Sequence, residues 1–435
     1  MWLPIADLGV TTVTDAGASG VSTGYIAPQF PYPDDNVLFT HRPLISAGKV
    51  IAPGGEQSNH QARIYQTTNN GSTWTKLAIA GLPTGNNREI VDAVASSDNP
   101  DDFVVFIAGA TGTGAGGVYR TTNGGASFTQ ATGLPASQAA GDEFYWNPSL
   151  DRDATNPAVR YLMFRQVGFY KSTDRGATWT KPAAQPRDTY SHVHVDPVTG
   201  RIWVGTEFGT GFDYSDNGGT SWTAHSGFTS VTEFDCYGGR LAAFGQRTGD
   251  SFNKLYYSAD HGVTWNEISR PGFRLATTQA VAVDPWRPGT VWISASGRAI
   301  ARFTPWTALE IWMNTNFGTT SPTGNAAYAA DPDGDGIPNL VEYSVGTNPL
   351  TATPLPTGEI VTAAGQPYLA LHVNRDAAHS DVTYTVEATG DLQNWSSVGT
   401  VVVTNTTTQL VVRDSVAIGT PGQTRRALRL KVTLN

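Results

Sequence analysis

The octapeptide Ser172-Thr-Asp-Arg-Gly-Ala-Thr-Trp179 decides how this chain is read, because the chain repeats it. Thr67-Thr-Asn-Asn-Gly-Ser-Thr-Trp74, Thr121-Thr-Asn-Gly-Gly-Ala-Ser-Phe128, Ser215-Asp-Asn-Gly-Gly-Thr-Ser-Trp222 and Ser258-Ala-Asp-His-Gly-Val-Thr-Trp265 share its form, Ser/Thr-x-Asp/Asn-x-Gly-x-Ser/Thr-Trp/Phe. Successive copies start 54, 51, 43 and 43 residues apart. A period of about 40–50 residues means one repeated supersecondary unit and suits a four-stranded propeller blade.

Each position has a physical task. The Gly takes the backbone conformation of a tight turn. The Asp or Asn oxygen and the Ser/Thr hydroxyl accept backbone N–H groups across it. The aromatic begins the next strand and buries a large area between blades. This is a folding device, not a catalytic one.

Working outward, alternating and β-branched runs read as strands at 49–52, 62–65 and 74–77, then 91–94, 103–106 and 117–120, then 161–164 and 168–171. The same reading gives 192–195, 201–205 and 211–214, then 234–237, 241–244 and 254–257, and finally 278–283, 290–294 and 298–303. No aromatic-ended turn follows Phe303. Trp2-Leu-Pro-Ile5 resembles the strand after each turn, so it is expected to complete the last blade and remove an exposed edge. Residues 10–45 carry no clear pattern, which leaves six or seven blades.

The bulk properties agree with an all-β chain. A length of 435 residues implies two or three domains. With 47 Gly, 26 Pro and only 15% charged residues, turns are abundant. A net charge of −9 without a basic stripe argues against nucleic acid and anionic membranes and leaves room for an uncharged glycan. Cys236 is alone, so no intrachain disulfide forms, and its strand context predicts a buried, inert thiol. No apolar run is long enough to span a membrane. Met1-Trp-Leu-Pro-Ile-Ala-Asp7 lacks the form of a signal peptide, while the rest has the character of a secreted or cell-surface protein; a signal and upstream sequence are expected outside this chain.

The octapeptides resemble the Asp-box, or BNR, repeats of sialidases, sortilin-type receptors and family-74 xyloglucan hydrolases. Gly168-Phe-Tyr-Lys-Ser-Thr-Asp-Arg-Gly-Ala-Thr-Trp179 resembles the third-strand segment of the family-74 propellers. Asp284-Pro-Trp-Arg-Pro-Gly-Thr-Val-Trp-Ile-Ser-Ala-Ser-Gly-Arg298 resembles the closing blade of their C-terminal propeller. The resemblance covers roughly residues 90–303. It implies a β-propeller and a glycoside hydrolase-like action on plant or algal polysaccharide, such as xyloglucan or another β-glucan. Those enzymes hold their acid and base carboxylates between two propellers. This chain has room for one, and no catalytic residue is carried over from the family.

The pattern changes at 304. Thr304-Pro-Trp-Thr-Ala-Leu-Glu-Ile-Trp-Met-Asn-Thr-Asn-Phe317 reads as a helix with Pro305 in its first turn and Leu309, Trp312, Met313 and Phe317 on one face. Asp331-Pro-Asp-Gly-Asp-Gly-Ile-Pro-Asn-Leu-Val-Glu342 follows. Asp331, Asp333 and Asp335 occupy loop positions 1, 3 and 5, and Gly336 provides the bend. The Ile337 carbonyl, Asn339 and a bidentate Glu342 complete a seven-coordinate set for one structural Ca²⁺. Three carboxylates this close repel one another without a cation. The segment resembles the thrombospondin type 3 and dockerin-like calcium modules of secreted bacterial proteins. Residues 355–435 alternate again and read as a small accessory β-sandwich. The expected division is thus a propeller at 1–303, an EF-hand-like helical segment at 304–352 and a sandwich at 355–435.

Ligands of a propeller meet the face where first strands start and second strands end. There Glu143 and Glu207 are the candidate catalytic carboxylates, with His192 tuning whichever is the acid. Tyr145, Trp146, Tyr190 and Arg247 are candidate substrate contacts. His192 and His194 lie on one side of a strand at a spacing that admits a metal, without an evident third ligand. The reading is a monomeric, polysaccharide-acting glycoside hydrolase-like propeller. The alternatives are a non-catalytic glycan- or protein-binding propeller of the cell surface and a sialidase-like exo-glycosidase.

Overall fold

In the strand Phe103–Ile107, Phe103, Val105 and Ile107 pack toward one neighbouring sheet while Val104 and Phe106 pack toward the other. That period-2 use of both faces recurs through the repeat domain. The computed structural model describes the chain apart from residues 1, 6–8, 13, 16–20, 23–36, 41–43, 47–48, 57–58, 60, 70, 87, 108–115, 136–148, 165–166, 188–191, 206–210, 226, 270–279, 296–297, 354–357 and 424. It divides into two compact units, Met1–Ser269 with Phe273–Pro305, and Trp306–Asn435 with Arg270–Gly272.

Among the described residues the first unit holds six antiparallel sheets of three or more strands in chain order, preceded by the two-stranded pairs Trp2–Ile5 with Gly9–Thr12 and Thr14–Asp15 with Val21–Ser22. The first joins Val37–Thr40, Leu44–Ser46, Lys49–Glu56, Ala62–Thr67 and Thr75–Lys76. The second joins Ile90–Ala95, Phe103–Ile107, Gly117–Thr121 and Thr129–Gln130. The third joins Ser149–Arg152, Arg160–Phe164 and Gly168–Ser172, and the fourth His192–Val195, Ile202–Gly205, Phe212–Ser215 and Thr223–His225. The fifth joins Phe228–Tyr237, Arg240–Arg247, Lys254–Ser258 and Asn266–Glu267, and the sixth Ala280–Val283, Val291–Ala295 and Arg298–Phe303. Each sheet shares an apolar cluster with the next: Ile64 with Val105, Val104 with Leu162, Met163 with Val204, Phe212 with Phe234, and Phe244 with Ile293.

The five turns are built alike. The hydroxyl of the first residue accepts the glycine N–H at 3.0, 3.0, 2.8, 2.9 and 2.9 Å for Thr67, Thr121, Ser172, Ser215 and Ser258. The oxygen of Asn69, Asn123, Asp174, Asn217 and Asp260 accepts the N–H four residues on at 2.8 to 3.0 Å. The turn glycine must be glycine for two reasons. Gly176 has φ +88°, and a Cβ there would stand 2.5 Å from Val104 Cγ1 on the preceding sheet. The aromatic wedges into the same seam: Phe128 against the first sheet and Trp179 against the second.

Two turns use Asp where three use Asn, and this makes an acid-stability prediction. Burial opposes ionisation of Asp174, but bonds from the Thr178 hydroxyl and N–H and from Ser172 hold its carboxyl below the usual range. A depressed folded value stabilises above the unfolded value of about 4 and is lost as pH falls through the folded one. Asp174→Asn should therefore be near neutral at pH 7, since Asn69 makes the equivalent bond to Thr73 Oγ1 at 2.8 Å. It should also flatten the loss of stability below pH 4, read as the thermal midpoint against pH. An unchanged acid limb would refute this account of the turn.

The N-terminal strand corrects an expectation. Trp2–Ile5 pairs with Gly9–Thr12, from Trp2↔Thr12 to Ile5↔Gly9, and the sixth sheet has three strands. A local hairpin closes a far shorter loop than pairing with the distant strand at 298–303 would.

In the second unit, helix α1 spans Ala308–Phe317. It starts later than the sequence implied because Thr307 caps it. Thr307 Oγ1 accepts the Glu310 N–H at 3.1 Å, and Glu310 Oε2 accepts the Thr307 N–H at 2.9 Å. Pro305 thus precedes the helix. Helix α2 spans Asn339–Val345. The strands Gly358–Ala363, Gln366–Asn374, Gln409–Asp414 and Thr400–Asn405 form one sheet, and Val382–Thr389 with Ala427–Leu434 a second. Leu309 and Met313 of α1, Tyr343 of α2, and Val382 and Val432 of the strands share one core, so the helical segment from residue 306 packs with the strands that follow it.

Candidate functional site

Register fixes which strand ends meet. Ile90 pairs with Ile107 and Ile107 with Gly117; His192 pairs with Gly205 and Gly205 with Phe212. First-strand starts and second-strand ends therefore share one edge of each sheet, and the octapeptide turns lie at the other. Glu143, Tyr145, Trp146, Tyr190 and Glu207, expected at the first edge, lie outside the described residues.

His192 is described, half-buried at the start of its strand. Its Nε2 stands 3.8 Å from Glu233 Oε1 on the next sheet, and His194 Nδ1 stands 3.9 Å from Asp235 Oδ1. Burial pushes His192 down to about 4, so at neutral pH the ring is uncharged. The structure thus couples His-x-His on one first strand to Glu-x-Asp on the next. The sequence shows His192 and His194 on one side of a strand, and the matching spacing of Glu233 and Asp235 is the signal that links the two strands. Arg247 is held by its own domain: its guanidinium donates to the Gly227 and Trp265 carbonyls at 3.2 and 3.3 Å and lies over the Phe228 and Tyr256 rings. At the same edge Arg63 pairs with Glu56 at 2.5 Å, and Arg187 Nη2 with Asp213 Oδ1 at 2.6 Å.

The sequence reading also missed a set of aspartates on the first strands. Asp92 Oδ2 accepts the Leu150 N–H at 2.6 Å, Asp151 Oδ2 the Val195 N–H at 2.8 Å and Asp235 Oδ2 the Val283 N–H at 2.8 Å. In each case a carboxylate reaches from one sheet to a backbone amide of a later one. These bonds stitch sheet to sheet and fix the strands on which any ligand-facing residues stand.

The second unit contains the one close acidic cluster among the described residues: Asp331, Asp333 and Asp335, with ligand oxygens within 4.8 Å of one another. The chain bends around it at Gly334 and Gly336, with φ +76° and +89°. Asp331 accepts the Gly334 and Gly336 N–H groups at 2.9 Å, and Asp335 those of Ile337 and Thr353 at 2.8 Å. Asn339 donates through Nδ2 to the Asn325 and Ala327 carbonyls at 2.7 and 2.8 Å, which leaves its Oδ1 as a spare acceptor. Asp333 Oδ2, Asn339 Oδ1 and Glu342 Oε2 are buried oxygens without a hydrogen-bond partner among the described residues. Burial first, then the charges of Asp333, Asp335 and Asp331, raise Glu342 to about 7. Orphaned oxygens beside mutually repelling carboxylates are the donor set of a hard cation, so the residues fit calcium.

No protein-family model matches the chain. A xyloglucanase of a Paenibacillus species is 30% identical over 196 residues, covering 41% of this chain and 18% of that protein. A xyloglucanase of Hypocrea jecorina is 27% identical over 250 residues, covering 53% of this chain and 29% of that protein. The chain therefore spans less than a third of either relative. Among solved structures, the GH74 xyloglucanase of Xanthomonas campestris superposes with a TM-score of 0.52 at 17% identity, over 69% of this chain and 49% of that one. That likeness gives the fold, a β-propeller. No helix among the described residues is long and apolar enough to cross a membrane.

Proposed function

We propose that this chain is a secreted or cell-surface carbohydrate-active propeller of the glycoside hydrolase kind, acting as a monomer on plant or algal polysaccharide such as xyloglucan or another β-glucan. The observation that carries this reading is the sequence similarity to xyloglucanases, which covers about half of this chain. Glu143 and Glu207 are the carboxylates proposed for acid–base or nucleophilic work at the anomeric carbon, with His192 tuning whichever serves as the acid and Tyr145, Trp146, Tyr190 and Arg247 as sugar contacts. In the C-terminal unit, Asp331, Asp333, Asp335, Asn339, Glu342 and the Ile337 carbonyl would hold one Ca²⁺, whose charge would neutralise the cluster and stiffen the loop.

Glu143→Gln and Glu207→Gln should each lower turnover on xyloglucan by orders of magnitude while binding persists. Activity surviving both changes would remove these two residues from catalysis. A purely binding propeller is the second reading, since one propeller fold hosts both enzymes and binding proteins. It would retard in polysaccharide gels and release no product.

A further inference from the structure

Between the second and third sheets lies a group of arginines that neither the fold argument nor the proposed activity uses. Arg160 opens its strand on the same side as Leu162 and Phe164, which pack toward the second sheet. Asp102, next to the strand Phe103–Ile107, and Arg120 lie on the side of Val104 and Val118, which pack toward the third. Arg120 holds Asp102 with Nη2 at 2.8 Å and Nε at 3.3 Å. Arg175, from the octapeptide turn, grips Asp98 with two bonds at 2.8 and 2.7 Å and stands 3.7 Å from Asp102.

Arg160 is fully buried. Its Nη1 donates to the Pro157 and Val159 carbonyls at 2.7 and 3.0 Å. Its Nε and Nη2 are buried with no partner among the described residues. Burial lowers its pKa only to about 10, with Asp102 opposing the shift, so it remains a cation at neutral pH. A buried cation with unmet N–H groups is costly unless an acceptor completes it. A water there would need acceptors for its own protons, and Asp98 and Asp102 already face guanidiniums.

We infer that a small inorganic anion of the chloride class binds on the Nε–Nη2 edge of Arg160, between the second and third sheets. Nε–H and Nη2–H point the same way from the planar guanidinium, so one spherical anion can accept both. Full burial excludes large oxyanions. The ion would join the two sheets electrostatically, on the turn side and away from the proposed glycan face.

Crystals grown with bromide replacing chloride should show an anomalous peak within hydrogen-bonding distance of Arg160 Nε and Nη2. In solution, replacing a bulky organic anion with chloride at constant ionic strength should raise the unfolding midpoint and then saturate. At chloride ten times its dissociation constant, the folding equilibrium shifts about elevenfold. Arg160→Met keeps a long side chain but removes the donors, and it should abolish the chloride dependence; Arg201→Met, which removes a pair with Asp216 at the fourth sheet, should not. Water-height density with no bromide signal would overturn the inference. So would a midpoint equal in both salts, even with bromide visible, since that marks an adventitious ion only.

Discussion

Glu342→Ala, or calcium removal by a chelator, is expected to lower the unfolding transition of residues 306–435 as a unit and leave the transition of the repeat domain in place. The loop does not stand apart as a spacer. Glu342 begins the turn of α2 that carries Tyr343, which is fully buried in the core shared with Val382 and Val432. The Tyr343 hydroxyl donates to Asp381 at 2.7 Å, and its ring stacks on His379 at 3.9 Å. Ser344 O accepts the Tyr384 hydroxyl at 2.5 Å and the Asp376 N–H at 3.1 Å. Losing the ion would therefore loosen α2 and, through it, the strands. At calcium one hundred times its dissociation constant, binding stabilises the folded unit by about 2.7 kcal/mol. Scanning calorimetry with and without chelator should show one of two transitions move down. If neither moves, the donor set does not hold calcium.

Trp179→Ala should be the most destabilising single change at a repeat turn, costing about 3–5 kcal/mol. The side chain is 2% exposed in the seam between the second and third sheets. Its Nε1 donates to Gly176 O at 3.0 Å, and its backbone N–H to Thr132 O at 2.9 Å. Trp222 and Trp265 occupy the corresponding positions of later repeats but are only partly buried, and their Nε1 atoms lack hydrogen-bond partners among the described residues. Their truncation should cost less. Urea midpoints for the three variants measure the order. A loss below about 1 kcal/mol at Trp179 would mean that the seam repacks around the cavity and the wedge is dispensable.

These sites also show which features of the molecule its sequence discloses. The repeat turns are legible because their chemistry is local: one hydroxyl, one Asx oxygen and one glycine within a few residues. The strands between them are legible where both faces are apolar, as in Phe103–Ile107. Ser149–Arg152 escapes because Leu150 is its one apolar residue. It is held by distant groups instead, the Asp92 carboxylate on the Leu150 N–H and the Ser149 hydroxyl against Val193. The same limit applies to His192 with Glu233, to the sheet-joining aspartates and to Arg160, whose surroundings come from residues about 60 positions away, a separation that no periodic pattern encodes. The proposed calcium loop is the opposite case, since its candidate donors lie within twelve consecutive positions. The N-terminal strand shows likeness misleading: Trp2–Ile5 resembles an outer strand but finds its partner in the next few residues.

The central claim, a propeller that acts on polysaccharide, is tested most directly by incubating the whole chain with xyloglucan and other β-glucans, with sialosides as controls, and measuring released reducing ends and product masses. The account predicts oligosaccharides from xyloglucan or a β-glucan and none from sialosides. No product from any β-glucan, together with no retardation in gels containing them, would contradict it.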